Sequence, residues 1–349
     1  MKAQKRGVKS ILISIAVLIF LILLTYYLLF KRFEIEEIFK IIRGVDLPFI
    51  AIGFAMIFIY LLCYSFFTKL LLGSRGYRIK TASAFRYAAA DFYFSAITPS
   101  ATGGQPFVIY YMNKDGIPVS ESFLSTFLHT TLYKVVLLTI NLVSAVLYCR
   151  VWAGSGWAFI SLWFLGLFIA VGVILLTLLS VIKREAVVKF GNGIINILGK
   201  VRIVKDVRKA KNKLENSVDE YQKAAKELKG KKSLLVKLFL IVFLQRIAYF
   251  SVAFIVYYSL GFTGRAFLYF LAIQSFISLA VDSLPLPGGT GANEVAIILM
   301  YKPAFGPEEA AGAMLMIRFI NYYFALIVSS AVTIFYQIYN SFKGKKVVK

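Results

Sequence analysis

Apolar positions along this chain fall in long unbroken runs, without the helical or strand spacing of a surface element. Residues 10–30 carry no charge and follow a basic segment holding Lys2, Lys5, Arg6 and Lys9. Further runs cover residues 47–72, 120–148, 157–182, 234–260 and 310–339. At about 1.5 Å of rise per residue, each can cross roughly 30 Å of hydrocarbon. The pattern predicts six full spans. The first is read as an uncleaved span, because a signal peptide has a shorter apolar core and a small-residue cleavage site.

Two more apolar regions, residues 82–112 and 267–301, are broken in their middles by Pro and Gly. Each either crosses once or dips in and returns. Basic residues decide, since short basic loops stay in the cytoplasm. Residues 183–232 hold 15 Lys/Arg against 6 Asp/Glu. With the N-terminus inside, that segment remains inside only if residues 82–112 return to the side they entered. The same count sends the second region in from outside and back. Residues 31–43, placed outside, are a mild exception. The expected architecture is an all-α polytopic membrane protein of about six full transmembrane helices plus two Gly/Pro-broken re-entrant hairpins, in one domain over residues 1–349. The repeat halves are about 47–182 and 234–340. The connector 183–232 includes a helical stretch, 209–232, with Leu214, Val218, Tyr221 and Leu228 on one face, read as a charged connector or as a helix lying on anionic lipid.

The two broken regions align with each other. SAITPSATGGQPFVIYYMNK, from Ser95, and SLPLPGGTGANEVAIILMYK, from Ser283, are offset by 188 and agree at seven of 20 positions. The shared P-x-x-T-G followed by a carboxamide is the informative part: Pro99, Thr102, Gly103 and Gln105 face Pro287, Thr290, Gly291 and Asn293. The topology makes the copies an inverted repeat, and paired interruptions of this kind point to a midplane substrate site. Non-helical backbone is tolerated at that depth where it is buried in protein or lines a wet cavity. N–H groups at the helix starts after Gly103 and Gly291 favour an anion such as phosphate. Two mechanical turns without a ligand are the plainer reading.

Composition agrees with the membrane class: 59% of residues are hydrophobic and mean hydropathy is +0.76. The net charge of +23 fits loops facing anionic lipid heads. Cys63 and Cys149 read as packing residues, with no metal or disulfide framework. Ionisable residues within apolar runs are functional candidates. Glu294 follows the second turn and is a helix cap or a ligand-facing carboxylate. Asp91 and Asp282 flank the turns, and Arg86 snorkels to the interface. His129 and Lys134 share a span, His129 as a structural hydrogen-bonding residue or a substrate contact. Arg318 falls against His129 at an offset of 189, and either grips phosphate bidentately or, like Lys134, pairs with a carboxylate. No HExxH, P-loop or G-x-S-x-G motif occurs, and no cofactor is expected.

The stretches TPSATGGQPFVIYYMNKDGIPVSESF and LPLPGGTGANEVAIILMY resemble the paired signatures of the lysylphosphatidylglycerol synthase transmembrane region. That region is the flippase-like part of the bacterial multiple peptide resistance factor, and the similarity covers about residues 8–340. It draws attention to Pro99, Gly103, Gly104, Pro106, Glu121, Pro287, Gly288, Gly289, Gly291, Glu294 and Arg318. Where family members often carry an acidic–basic pair, this chain has His129 and Lys134. The resemblance implies a multi-pass cell-membrane flippase moving a phosphate-bearing, lysyl-modified or plain phospholipid, with a role in resistance to cationic antimicrobial peptides. In that reading Arg318 and the amides after Gly103 and Gly291 hold the phosphate, while Gln105, Asn293 and Glu294 face the rest of the head. The partners implied are membrane phospholipids, a separate synthase protein and a second copy of the chain. The family name also implies phosphatidylglycerol lysyltransferase activity, with tRNA as a partner. The 50-residue basic loop is too small for a tRNA-reading domain, so that activity is expected to lie outside this chain. A small-solute transporter is the third reading.

Overall fold

The structure, a computed structural model, describes residues 46–98, 101, 103–200, 206–307 and 309–346. The expected first span, residues 10–30, lies outside the described residues, as do residues 31–43 and the motif positions Pro99 and Thr102. The chain divides after Leu47, and the residues from Pro48 onward form one compact unit.

Among the described residues every regular element is a helix. In chain order these are α1 (Leu47–Gly73), α2 (Thr81–Ile97), α3 (Gly104–Lys114), α4 (Val119–Leu147), the short α5 (Cys149–Ala153), α6 (Trp157–Ile182), α7 (Arg184–Lys200), α8 (Val207–Lys229), α9 (Lys232–Ser259), α10 (Phe267–Val281), α11 (Ala292–Phe305), α12 (Glu309–Arg318) and α13 (Ala325–Lys346). One turn of π-helix, Phe319–Phe324, joins the last two into one rod. Five described helices are long and apolar enough to cross a membrane: α1, α4, α6, α9 and Glu309–Gln337. The chain is an all-α polytopic membrane protein.

Helices α2, α3, α10 and α11 have 17, 11, 15 and 14 residues, so none exceeds about 26 Å. Each is short for roughly 30 Å of hydrocarbon. Instead α2 packs on α3 and α10 on α11, as the hairpin reading expects. Gly103 and Gly291, partners at the offset of 188, are both helix N-caps. The break between helices is longer in the second copy, where α10 stops at Val281 and a 3₁₀ turn, Pro287–Gly289, intervenes.

Helix α10 forms the centre. Thirteen of its 15 residues are buried, and it packs on α4, α6 and α9. Asn141 ties this centre together. Its amide donates to the Ser275 carbonyl at 3.0 Å and its oxygen accepts from Trp163 Nε1 at 2.9 Å, linking α4, α10 and α6. In an apolar bundle such a satisfied polar bridge fixes register. Helix α6 is the most apolar span and the least buried, the pattern of a lipid-facing helix.

The amphipathic α8 turns Val218, Ala224 and Leu228 inward and packs on α4, α6 and α7. Its apolar face is therefore covered by protein, which favours the connector reading over a helix lying on lipid. Arg75 clamps it: Nη2 meets Glu121 Oε1 at 2.9 Å, and Nη1 pairs with Glu227 on α8. Glu121 thus belongs to this end of the bundle and is remote in role from the broken turns. Arg86, expected to snorkel, pairs with Asp115 across the first hairpin and lies 3.5 Å from the Tyr336 ring centroid. Cys63 is buried as expected. Cys149 is exposed at the start of α5, a correction to its reading as a packing residue.

Candidate functional site

The second broken turn is organised by Glu294, in the first turn of α11. One carboxylate oxygen accepts the Gly291 N–H at 2.5 Å, which caps the helix. The other accepts Arg318 Nε at 2.9 Å, and the two side chains are only 9% and 4% exposed. Arg318 Nη2 also reaches the Gly288 carbonyl at 3.3 Å, and its guanidinium lies 4.3 Å from the centroid of Tyr322. The π-turn brings that ring round, as such turns often do where a side chain has a special task. The Tyr322 hydroxyl then donates to the Ala96 carbonyl at the end of α2, at 3.0 Å. A side chain at Gly288 would collide: its φ is +58°, and an added Cβ would overlap the Tyr322 ring. Pro287 starts the 3₁₀ turn, Gly289 follows with positive φ, and Asn293 Oδ1 is buried without a hydrogen-bond partner among the described residues.

The first turn is tighter. Thr98 accepts the Gly103 N–H at 2.8 Å and donates to the Phe94 carbonyl at 2.6 Å. A Cβ at Gly104 would overlap Ser95 Oγ and lie 2.7 Å from the Asp91 carbonyl oxygen, so α3 can start this close to α2 only with glycine there. Gln105 Nε2 donates to Thr130 Oγ1 on α4 at 2.7 Å.

These contacts bear directly on the phosphate grip expected from sequence. The N–H groups of the cap glycines themselves are taken by Thr98 and Glu294, whereas the expectation named the amides that follow them. Of the readings open for Arg318 and Glu294, the contacts show the carboxylate pairing and the helix cap: the two side chains meet each other instead of facing different parts of a ligand. The structure does bring the two turns together, through Tyr322 and through packing of α2 against the 3₁₀ turn.

His129 takes the structural role: its Nε2 lies 3.0 Å from Gln245 Oε1, between the rings of Tyr64 and Phe67. Gln245 in turn donates to the Tyr60 carbonyl at 3.2 Å. Lys134 is buried and interacts electrostatically with Asp282, which also accepts a hydrogen bond from Tyr133. Beside them is a residue missed at sequence level, Arg246 of α9. Only 8% exposed, it lies 4.5 Å from the Tyr133 centroid, 4.9 Å from Tyr60 and 5.7 Å from Tyr249. Asp91 and Asp282 act on it electrostatically, yet it forms no ion pair among the described residues, and its Nε has no hydrogen-bond partner. Its signal in the sequence is its depth: an arginine in the middle of the run 234–260 is as unusual as Lys134 in its own run. The polar centre thus draws on α1, α4, α9 and the start of the second turn, while Asp91 of α2 acts on Arg246, and Arg318 on Tyr249, electrostatically.

Comparison with known proteins agrees with this architecture. A family model described as the lysylphosphatidylglycerol synthase transmembrane region matches residues 11–329. A UPF0104 membrane protein of Archaeoglobus fulgidus is 24% identical over 338 residues, covering 95% of this chain and 97% of the relative.

Proposed function

Because the chain belongs to the lysylphosphatidylglycerol synthase transmembrane region family, we propose that it moves a phosphate-bearing phospholipid, such as phosphatidylglycerol or its lysyl-modified form, between the leaflets of the cell membrane. In this reading it contributes to resistance against cationic antimicrobial peptides. One observation carries the proposal. Two helix-breaking turns meet at a buried cluster of charged and phenolic side chains, inside a bundle whose outer spans are apolar. Charge is costly at that depth and is found where a polar cargo passes. Broken helices at the interface of two repeats are where transporters of this general build bind their substrates.

Glu294 and Arg318 serve this reading as a brace that fixes the second turn. The turns and the polar centre beside them supply the path. Reconstitution of the purified chain in liposomes with head-group-labelled phospholipids tests it. Label should become accessible to an impermeant quencher faster than in protein-free vesicles. Uptake of a soluble solute with no change in lipid sidedness would replace it with a small-solute transporter. Lysyl-lipid formed from charged tRNA by the chain alone would favour the synthase reading.

A further inference from the structure

Arg246 sits about 20 Å from either end of the 28-residue α9, which is the depth where an isolated charge is least tolerated. A buried guanidinium is ordinarily saturated by carboxylates or carbonyls. Arg318 is saturated in this way; Arg246 is not. Aromatic faces surround it, its side chain hydrogen-bonds to Tyr60, and its Nε–H is left without an acceptor among the described residues. Such a group points to an acceptor that comes from outside the chain. Phosphate oxygens fit, because the guanidinium fork offers parallel donors to them.

The charges around it narrow the class of ligand. Two bases and two acids meet in this region: Arg246 acts electrostatically on Asp91, Lys134 and Asp282, and Lys134 acts on Asp282. Lys134 and Tyr133 attend Asp282. Asp91, on α2 beside Gly104, forms no ion pair among the described residues. The four formal charges cancel, but Arg246 and Asp91 form no ion pair with each other among the described residues. A ligand with net charge would upset the balance in a low-dielectric place, whereas one carrying both signs would complete both ends.

We propose that Arg246 and Asp91 form the two poles of a head-group site, Arg246 for a phosphate and Asp91 for an ammonium, so that the preferred lipid is a zwitterionic aminophospholipid. This rests on the lipid-transport reading and narrows it: phosphatidylglycerol, with a net negative charge, and its lysyl form, with a net positive one, become the weaker ligands.

Equilibrium binding to the full chain in detergent tests it without requiring transport. Dioctanoyl-phosphatidylethanolamine should bind more tightly than dioctanoyl-phosphatidylglycerol, and both more tightly than dioctanoylglycerol. Arg246→Gln should weaken both phospholipids by roughly ten- to a hundredfold, the scale of a lost hydrogen bond to a charged group. Arg246→Lys, which keeps the charge, should weaken them less and serves if the Gln variant does not fold. Asp91→Asn should weaken the ethanolamine lipid while leaving the glycerol lipid unchanged or tighter. A ratio of two ligands on one sample is insensitive to the amount of folded protein. Equal affinity of the two phospholipids for the unmodified chain, or an equal loss of both in Asp91→Asn, overturns the proposal. Phosphoethanolamine binding as tightly as the lipid overturns the assignment to a lipid. If liposome transport fails while this binding pattern holds, the site stands and the flippase reading falls. If transport proceeds unchanged in Arg246→Gln, the reverse is true.

Discussion

The Glu294–Arg318 pair gives the most quantitative expectation. The two groups are 2.9 Å apart and almost wholly buried. Unit charges at that separation attract by roughly 6 kcal/mol at an effective dielectric constant near 20, but desolvation of both groups offsets much of this. Removing one partner leaves the other charged and unpaired, which costs about 3–5 kcal/mol. Glu294→Gln keeps an oxygen for the Gly291 N–H, so its loss should be nearly all electrostatic. Glu294→Ala should lose about 0.5–2 kcal/mol more, the value of the cap. Arg318→Met should fall in the same range of about 3–5 kcal/mol, since it strands the Glu294 carboxylate. The double change Glu294→Gln with Arg318→Met removes both charges and should be less destabilised than either single variant. Denaturant unfolding in mild detergent, followed by tryptophan fluorescence, measures each member of the cycle. Losses in the double variant that simply add would show that the pair does not act as a unit, and the brace would have to be abandoned.

The remaining expectations are simpler. Single cysteines at the exposed positions Asn113 and Lys302 should respond oppositely to an impermeant thiol reagent in intact cells, Asn113 protected and Lys302 labelled; labelling of both would mean that the first broken region crosses. Gly104→Ala should destabilise by about 1–3 kcal/mol, because the new methyl overlaps Ser95 and Asp91, and an unchanged unfolding midpoint would contradict the tight first turn. Asn141→Leu should lose about 1–3 kcal/mol by stranding Trp163 Nε1 in the core, with a shift in tryptophan emission reporting the lost bond; unaltered stability and emission would remove Asn141 from the register of the bundle.

Most of the architecture was legible because its signal is length. An apolar run of more than 20 residues has few folds open to it, and residues 157–182 are the helix α6 to the residue. The breaks were legible through Pro and Gly, and the repeat offset placed both caps. What sequence could not supply was pairing. Arg318 and Glu294 are 24 residues apart, and nothing local states that they meet. Arg246 stands in no motif, and only its depth in an apolar run sets it apart from the many basic residues of this chain. The backbone at the motifs also diverges in a way that identity conceals: Gly103 has φ −79° and its repeat partner Gly291 has φ +94°.

The π-turn at Phe319–Phe324 also has a meaning for evolution and for engineering. It is one residue out of step with an α-helix, and the rod it interrupts serves both hairpins. Before it, Arg318 faces the second hairpin; after it, Tyr336 and Gln337 reach Asp115 and Tyr111 of the first. Each residue turns an α-helix by about 100°, so the extra one acts as a phase adjustment between two otherwise incompatible faces. Deleting any single residue within the turn would restore a regular helix yet swing its far half away from the first hairpin. Insertions and deletions should therefore be tolerated at the ends of this rod and refused in its middle, where a one-residue change of length rotates the first hairpin's contacts out of reach while leaving the Arg318–Glu294 pair in place.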